Sequence, residues 1–130
     1  MMVRVGVPSE KDKAATVLVA GPVPGGEADP KPIVLAALSG DGAKKWSVEL
    51  PAGTQVNSAY LAPGKPWLAV GMLGGQVHVV DIDKGDIIAS VCDHGISAEV
   101  GWAASKDAGA PLLLVATFGK LNAFRVAKPK

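Results

Sequence analysis

The sequence is poor in the residues that most directly indicate a chemical function. Its 130 residues include one cysteine, which excludes an internal disulfide and a zinc site built from several thiolates. Aromatic residues make up 5%, and thirteen Lys and Arg against twelve Asp and Glu leave a net charge of +1. This balance indicates no partnership with nucleic acid. With 48% hydrophobic and 19% charged residues, the chain is too apolar to be disordered, so we expect one folded domain.

Long hydrophobic runs are absent as well. The longest run near the N-terminus, residues 14–21, has the length of one strand and falls short of the roughly 20 residues that span a membrane. The first eight residues lack the apolar core of a signal peptide. We therefore expect no membrane partner and a cytoplasmic location by default. A periplasmic or extracellular location would apply if the chain were excised from a longer exported protein.

Glycine and proline, by contrast, are plentiful, with 16 and 10 residues, and they separate short apolar segments. Pro-Gly, Gly-Gly, Asp-Gly and Lys-Gly pairs are typical of tight turns, and no stretch of a dozen residues keeps a helical period. Continuous apolar runs favour strands buried on both faces. The predicted strands are Val3–Val7, Thr16–Ala20, Ile33–Leu38, Lys45–Leu50, Gln55–Leu61, Trp67–Leu73, Gln76–Ile82, Asp86–Cys92, Ala98–Ala103, Leu112–Phe118 and Leu121–Val126.

The chain also repeats itself, with a period of roughly 42–45 residues. Residues that recur after 43 positions are Val34, Gly42, Ser47 and Val48, and those that recur after 45 positions are Pro66 and Val70. When one residue is deleted from the following turn, Val77 aligns with Leu121. Four short strands in a repeat of this length are the size of one β-propeller blade.

Residues 67–86 resemble the repeat of quinoprotein-type (PQQ-like) β-propellers. A strand, a glycine turn, a strand ending in Asp81, a turn and a further strand follow one another in that family's order. The turn before Trp46 resembles the family's turn into an outer-strand Trp, and residues 111–124 are similar to the same repeat and to integrin-type blades. The resemblance covers about residues 33–126 and departs from the family where Ala89 replaces the second outer-strand Trp.

We therefore predict an all-β, β-propeller-like fold with about three four-stranded antiparallel blades in a single module of residues 1–130. The blades are residues 1–52, 53–95 and 96–130, and the last one lacks its outer strand. Because they lie in repeated central strands, Val70, Val77, Val79 and Val115 should be buried. Trp46 should fit between the first two blades.

Ring closure is the problem that this architecture raises, because known propellers have about 4–8 blades. An open arc would leave two apolar sheet faces in water, which normally indicates an interface. We expect a head-to-tail homo-oligomer, with a dimer favoured, or else the remainder of a longer propeller. The expected contacts are Val5 and Val19 on blade one and Leu113 and Val115 on blade three. The edge strand Leu121–Val126 should attract another strand.

Three groups of residues are candidates for a chemical role. Asp81, Asp83 and Asp86 could supply oxygens to calcium, although capping of the turn by Asp81 is the favoured interpretation. Cys92-Asp93-His94, with His78, could contribute to a zinc site or to a Cys–His pair, although a half-buried cysteine followed by a turn is simpler. The three tryptophans, Trp46, Trp67 and Trp102, could stack on a ligand. In propellers, however, large aromatic side chains more often fill the space between blades.

None of these groups identifies a catalytic residue or a cofactor. The leading hypothesis is a non-catalytic, propeller-like scaffold or binding module that is completed by self-association. One alternative is a fragment of a larger quinoprotein-like enzyme whose catalytic residues lie elsewhere. The other is a piece of a calcium-dependent, adhesion-type propeller.

Overall fold

The computed structural model describes residues 3–8, 15–22, 33–39, 42–50, 56–92, 99–104, 110–117 and 119–126. The strands are β1 (Val3–Pro8), β2 (Ala15–Pro22), β3 (Ile33–Leu38), β4 (Lys44–Leu50), β5 (Val56–Leu61), β6 (Trp67–Met72), β7 (Gln76–Asp81), β8 (Asp86–Cys92), β9 (Glu99–Ala103), β10 (Leu112–Thr117) and β11 (Lys120–Arg125). These residues contain no helix, and hence none that could cross a membrane. The prediction of an all-β fold is confirmed, with strand ends placed to within two residues.

Strands that follow one another in the chain pair with one another, and every pairing is antiparallel. The first sheet has the order β1-β2-β3-β4, the second β5-β6-β7-β8 and the third β11-β10-β9. The register shifts between Ala37 and Leu38 and again between Val79 and Val80, so β3 and β7 are both irregular next to their outer neighbour. Such a bulge increases the local twist of a sheet.

The second sheet is covered on both faces. Leu68 and Val70 of β6 pack against the first sheet, whereas Trp67 and Ala69 pack against the third. Successive side chains of a strand point to opposite faces, so one strand serves two cores, and all of β6 is buried. The continuous apolar runs in the sequence arise from this double burial.

Two cores result, and each lies between a pair of sheets. The buried residues of the core between the first and second sheets are Ile33, Leu35, Ala37, Leu50, Val56, Leu68, Val70, Met72 and Val80. Those of the core between the second and third sheets are Ala62, Trp67, Ala69, Val77, Val79, Val100, Leu113 and Val115. The predicted burial of Val70, Val77, Val79 and Val115 is confirmed, since none is more than 1% exposed.

Trp46 joins the first sheet to the second, as the sequence predicts. Its Nε1 donates a hydrogen bond of 2.8 Å to the carbonyl oxygen of Ile82, which follows β7. Its ring lies on Gly85, where a Cβ atom would come within 2.7 Å of Trp46 Cγ. Gly85 also has a φ of +80°, a conformation that side chains disfavour. The turn between β7 and β8 is therefore shaped to receive the indole.

The expected contact surface of the third sheet needs a correction. Leu113 and Val115 are 1% and 0% exposed and belong to the core against the second sheet, so they do not lie on an outward face. Their neighbours Leu112 and Leu114 occupy the opposite face of β10, because side chains alternate along a strand. The contacts expected on blade one, Val5 and Val19, lie in β1 and β2, and their role in an interface stays a prediction.

Candidate functional site

The edge strands β5 and β9 adjoin where the second and third sheets meet. The amide of Val100 donates a hydrogen bond of 3.0 Å to Ser58 Oγ, and Trp102 Nε1 donates one of 2.9 Å to the carbonyl oxygen of Tyr60. These bonds join residues 42 positions apart in the chain, one repeat length. They hold the two edge strands side by side.

A groove of about 350 Å³ opens along these two strands. Its lining consists of Asn57, Ser58, Tyr60, Glu99, Val100 and Gly101. Residues from neighbouring sheets contribute in equal number, so the groove exists only because the sheets stack in this way. Two edge strands that meet at a groove are a suitable place for a ligand, because binding sites are concave and often lie between structural units.

The chemistry of this groove is suited to binding. The side chain of Tyr60 is 58% exposed, and Asn57 and Glu99 are also exposed. An aromatic ring, an amide and a carboxylate offer a stacking surface together with hydrogen-bond donors and acceptors. The hydroxyl of Ser58 already accepts the Val100 amide, so its position is fixed by the contact between the sheets.

The acidic turn of the second sheet is held by the backbone. Asp81 Oδ1 accepts hydrogen bonds from the amides of Asp83, at 2.9 Å, and Lys84, at 3.2 Å. Asp83 and Asp86 are exposed. The turn-capping interpretation of Asp81 is confirmed. Over the part of the chain that the structure describes, no three His, Cys, Asp or Glu side chains form a group that could hold a metal ion.

The histidine and cysteine candidates are brought onto one sheet without forming a shared site in the described residues. His78 is 3% exposed, and its Nδ1 lies 2.8 Å from Ser90 Oγ in a hydrogen bond. Cys92 is opposite Gln76 in the pairing of β7 with β8. Asp93 and His94 lie outside the described residues. His78 is thus a core histidine with a hydroxyl partner, a common way to satisfy a buried polar group.

The tryptophans pack between sheets, as expected of large aromatic side chains. Trp67 is 5% exposed, and its ring centroid lies 6.3 Å from that of Trp102, with the rings tilted by 38°. Lys65 Nζ lies 5.6 Å from the Trp67 centroid, within the range of a cation–π contact. Trp46, Trp67 and Trp102 therefore connect sheets, and none of them lines the groove.

The groove residues are not distinguished by any motif in the sequence. One signal points toward them, because Tyr60 and Trp102 occupy equivalent places in successive repeats. In the structure these two equivalent residues touch through the Trp102–Tyr60 hydrogen bond. Tyr60 itself remains 58% exposed, and its contact with Trp102 is a consequence of sheet packing that strand periodicity does not encode.

No family model, no curated protein and no solved structure matches this chain. A functional assignment therefore depends on the geometry of the three sheets and of the groove between β5 and β9.

Proposed function

We propose that this chain is a propeller-like β module that acts as a non-catalytic scaffold or binding module and is completed by self-association. The observation that carries the proposal is the position of the second sheet, which is buried on one face by the first sheet and on the other by the third. Stacked sheets with adjoining edge strands are the arrangement from which a propeller is built.

Self-association is supported by the two end sheets. Among the described residues, the first and third sheets each pack against the second sheet alone. The three sheets that these residues form are too few for a ring by themselves, since a ring needs about 4–8. A head-to-tail interface closes into a ring when its rotation allows it, and two copies would supply about six sheets.

The groove between β5 and β9 is the ligand site in this proposal. In a ring, these edge strands would lie nearest the axis, and the exposed Tyr60 and Glu99 would face the central channel. Support for a binding role comes from the polar and aromatic residues that line it, among them the exposed Asn57 and Tyr60. Such side chains give contact area and hydrogen bonds without a covalent step.

Small-angle X-ray scattering on the purified chain tests this arrangement. A closed ring predicts a flat, compact particle whose radius of gyration stays constant over a tenfold range of concentration. An open head-to-tail stack would give an elongated particle that grows with concentration. The scattering profile of a single, isolated 13.2 kDa chain at every concentration would overturn the proposal.

A further inference from the structure

The third sheet has one packed face and one outward face, and the register of its strands identifies the outward one. Leu114 of β10 is paired with Ala123 of β11, and Ala116 is paired with Leu121. Leu113 and Phe124, which are paired with each other, point the opposite way and pack on the second sheet. We define the outward face as Leu112, Leu114, Ala116, Leu121 and Ala123. Leu121 is 69% exposed, so most of this large hydrophobic side chain lies in water.

The internal repeat shows what covers this kind of face elsewhere in the chain. Leu112 and Leu114 follow Trp67 and Ala69 by 45 positions, and Leu121 follows Val77 by 44. In the second sheet, Trp67, Ala69, Val77 and Val79 are between 0% and 5% exposed, because the third sheet lies on them. Leu121 therefore occupies a position that is buried in the preceding repeat.

The opposite face confirms that the repeats are aligned correctly. Leu113 and Val115 follow Leu68 and Val70 by the same 45 positions. All four are buried, and in each case the sheet that covers them is the preceding one. Each sheet thus uses one face toward the preceding sheet and the other toward the following sheet. The third sheet is without a following one among the described residues.

From this equivalence, and resting on the proposed function, we infer that the outward face binds the first sheet of a second copy of this chain. The first sheet has a suitable surface on the side away from its core, where Val34 and Ala36 of β3 are half-buried. Ile33, Leu35 and Ala37 point the other way and pack on the second sheet. The contact would continue the stacking already present between the second and third sheets.

The interface can be tested with single lysine substitutions. Leu121→Lys places a charge in the contact, and we expect the Kd of the assembly to rise by about 100-fold or more. Tyr60→Lys is the matched control, because Tyr60 is also a large, exposed side chain and lies outside this face. It should leave the mass of the assembly unchanged. Thermal melts should show that both variants remain folded, since both side chains are exposed; Leu121→Ser substitutes if Leu121→Lys does not fold.

Mixing two variants tests the head-to-tail direction. Val34→Lys blocks the first-sheet face, so this variant alone and Leu121→Lys alone should both be monomers by sedimentation. Mixed together, they should form a heterodimer through the one pair of intact faces. If Val34→Lys alone remained a dimer, the third sheets would be binding each other and the inference would be wrong.

The outcomes also separate this inference from the proposal on which it rests. A wild-type assembly whose mass is unaffected by Leu121→Lys overturns the assignment of the face and leaves self-association standing. A wild-type chain that never assembles overturns both. Dissociation by Tyr60→Lys as readily as by Leu121→Lys would place the interface at the groove instead.

Discussion

At the residue scale, Trp46 is the side chain that connects the first sheet most specifically to the second. It combines a directed hydrogen bond to Ile82 with close contact on Gly85. We expect Trp46→Ala to lower the free energy of unfolding by about 3 kcal/mol, because a large aromatic contact and a hydrogen bond are both lost. Trp46→Phe keeps an aromatic ring but loses the N–H and part of the indole contact, so its effect should be smaller, about 1–2 kcal/mol. Urea unfolding measures both; equal losses would show that the hydrogen bond alone matters.

Gly85 offers a second test of the same contact. Gly85→Ala must adopt a positive φ and displace the indole, so we expect a loss above the roughly 1–2 kcal/mol of a left-handed alanine. Gly64→Ala is the matched control, since Gly64 has a φ of +74° and a Cβ atom there would have no neighbour within 4 Å. In a Trp46→Ala background the Gly85→Ala loss should fall to the value for Gly64→Ala. A double-mutant cycle without this coupling would contradict the proposed contact.

The central valines give a third residue-scale prediction. Val70→Ala and Val115→Ala should each lower the free energy of unfolding by about 1–3 kcal/mol, because both side chains are at most 1% exposed. Val126 is half-buried, so Val126→Ala serves as the control and should cost less than either. Losses below a few tenths of a kcal/mol at Val70 and Val115 would mean that the register of the strands is wrong.

The same valines show how far the sequence predicts the fold. Periodic and repeated positions are sufficient to predict that Val115 is buried, but the stretch Leu112 to Val115 is apolar throughout. Such a run does not reveal which alternate set of side chains packs on the preceding sheet. The prediction that Leu113 and Val115 lie on an outward face is wrong for this reason, since the pleat places Leu112 and Leu114 there.

At the scale of elements, the meeting of β5 and β9 is the feature that local sequence does not predict. The groove forms where two edge strands from successive repeats adjoin, and its residues become neighbours only after two sheets stack. Turns and strands, by contrast, follow from glycine positions and local alternation, which is why the predicted strand ends agree to within two residues. Asp81 belongs to this local class, since its turn is closed by its own neighbours.

The bond from Val100 to Ser58 can be tested at this scale. Ser58→Ala removes the acceptor of the Val100 amide, and we expect a loss of about 1 kcal/mol in the free energy of unfolding. The more specific readout is hydrogen exchange, in which the Val100 amide should exchange faster in the variant than in the wild type. Amides of β7, in the middle of the second sheet, serve as the internal reference. An unchanged Val100 rate would show that the two edge strands are not joined through Ser58.

At the scale of the whole molecule, the residues that the structure describes form a stack of three sheets with a double-sided middle. Fully burying one valine, leucine or phenylalanine side chain contributes about 1.5–3 kcal/mol, so an outward face with several such residues carries a substantial driving force for association. The near-neutral net charge of +1 provides little repulsion between copies. Both properties favour completion of the stack by a second chain.

Sedimentation equilibrium on the wild-type chain, at concentrations down to the micromolar range, tests this account most directly. The account predicts one discrete assembly whose mass is twice the 13.2 kDa of the chain. This assembly should dissociate only when it is diluted. A well-folded 13.2 kDa monomer at every concentration would contradict it.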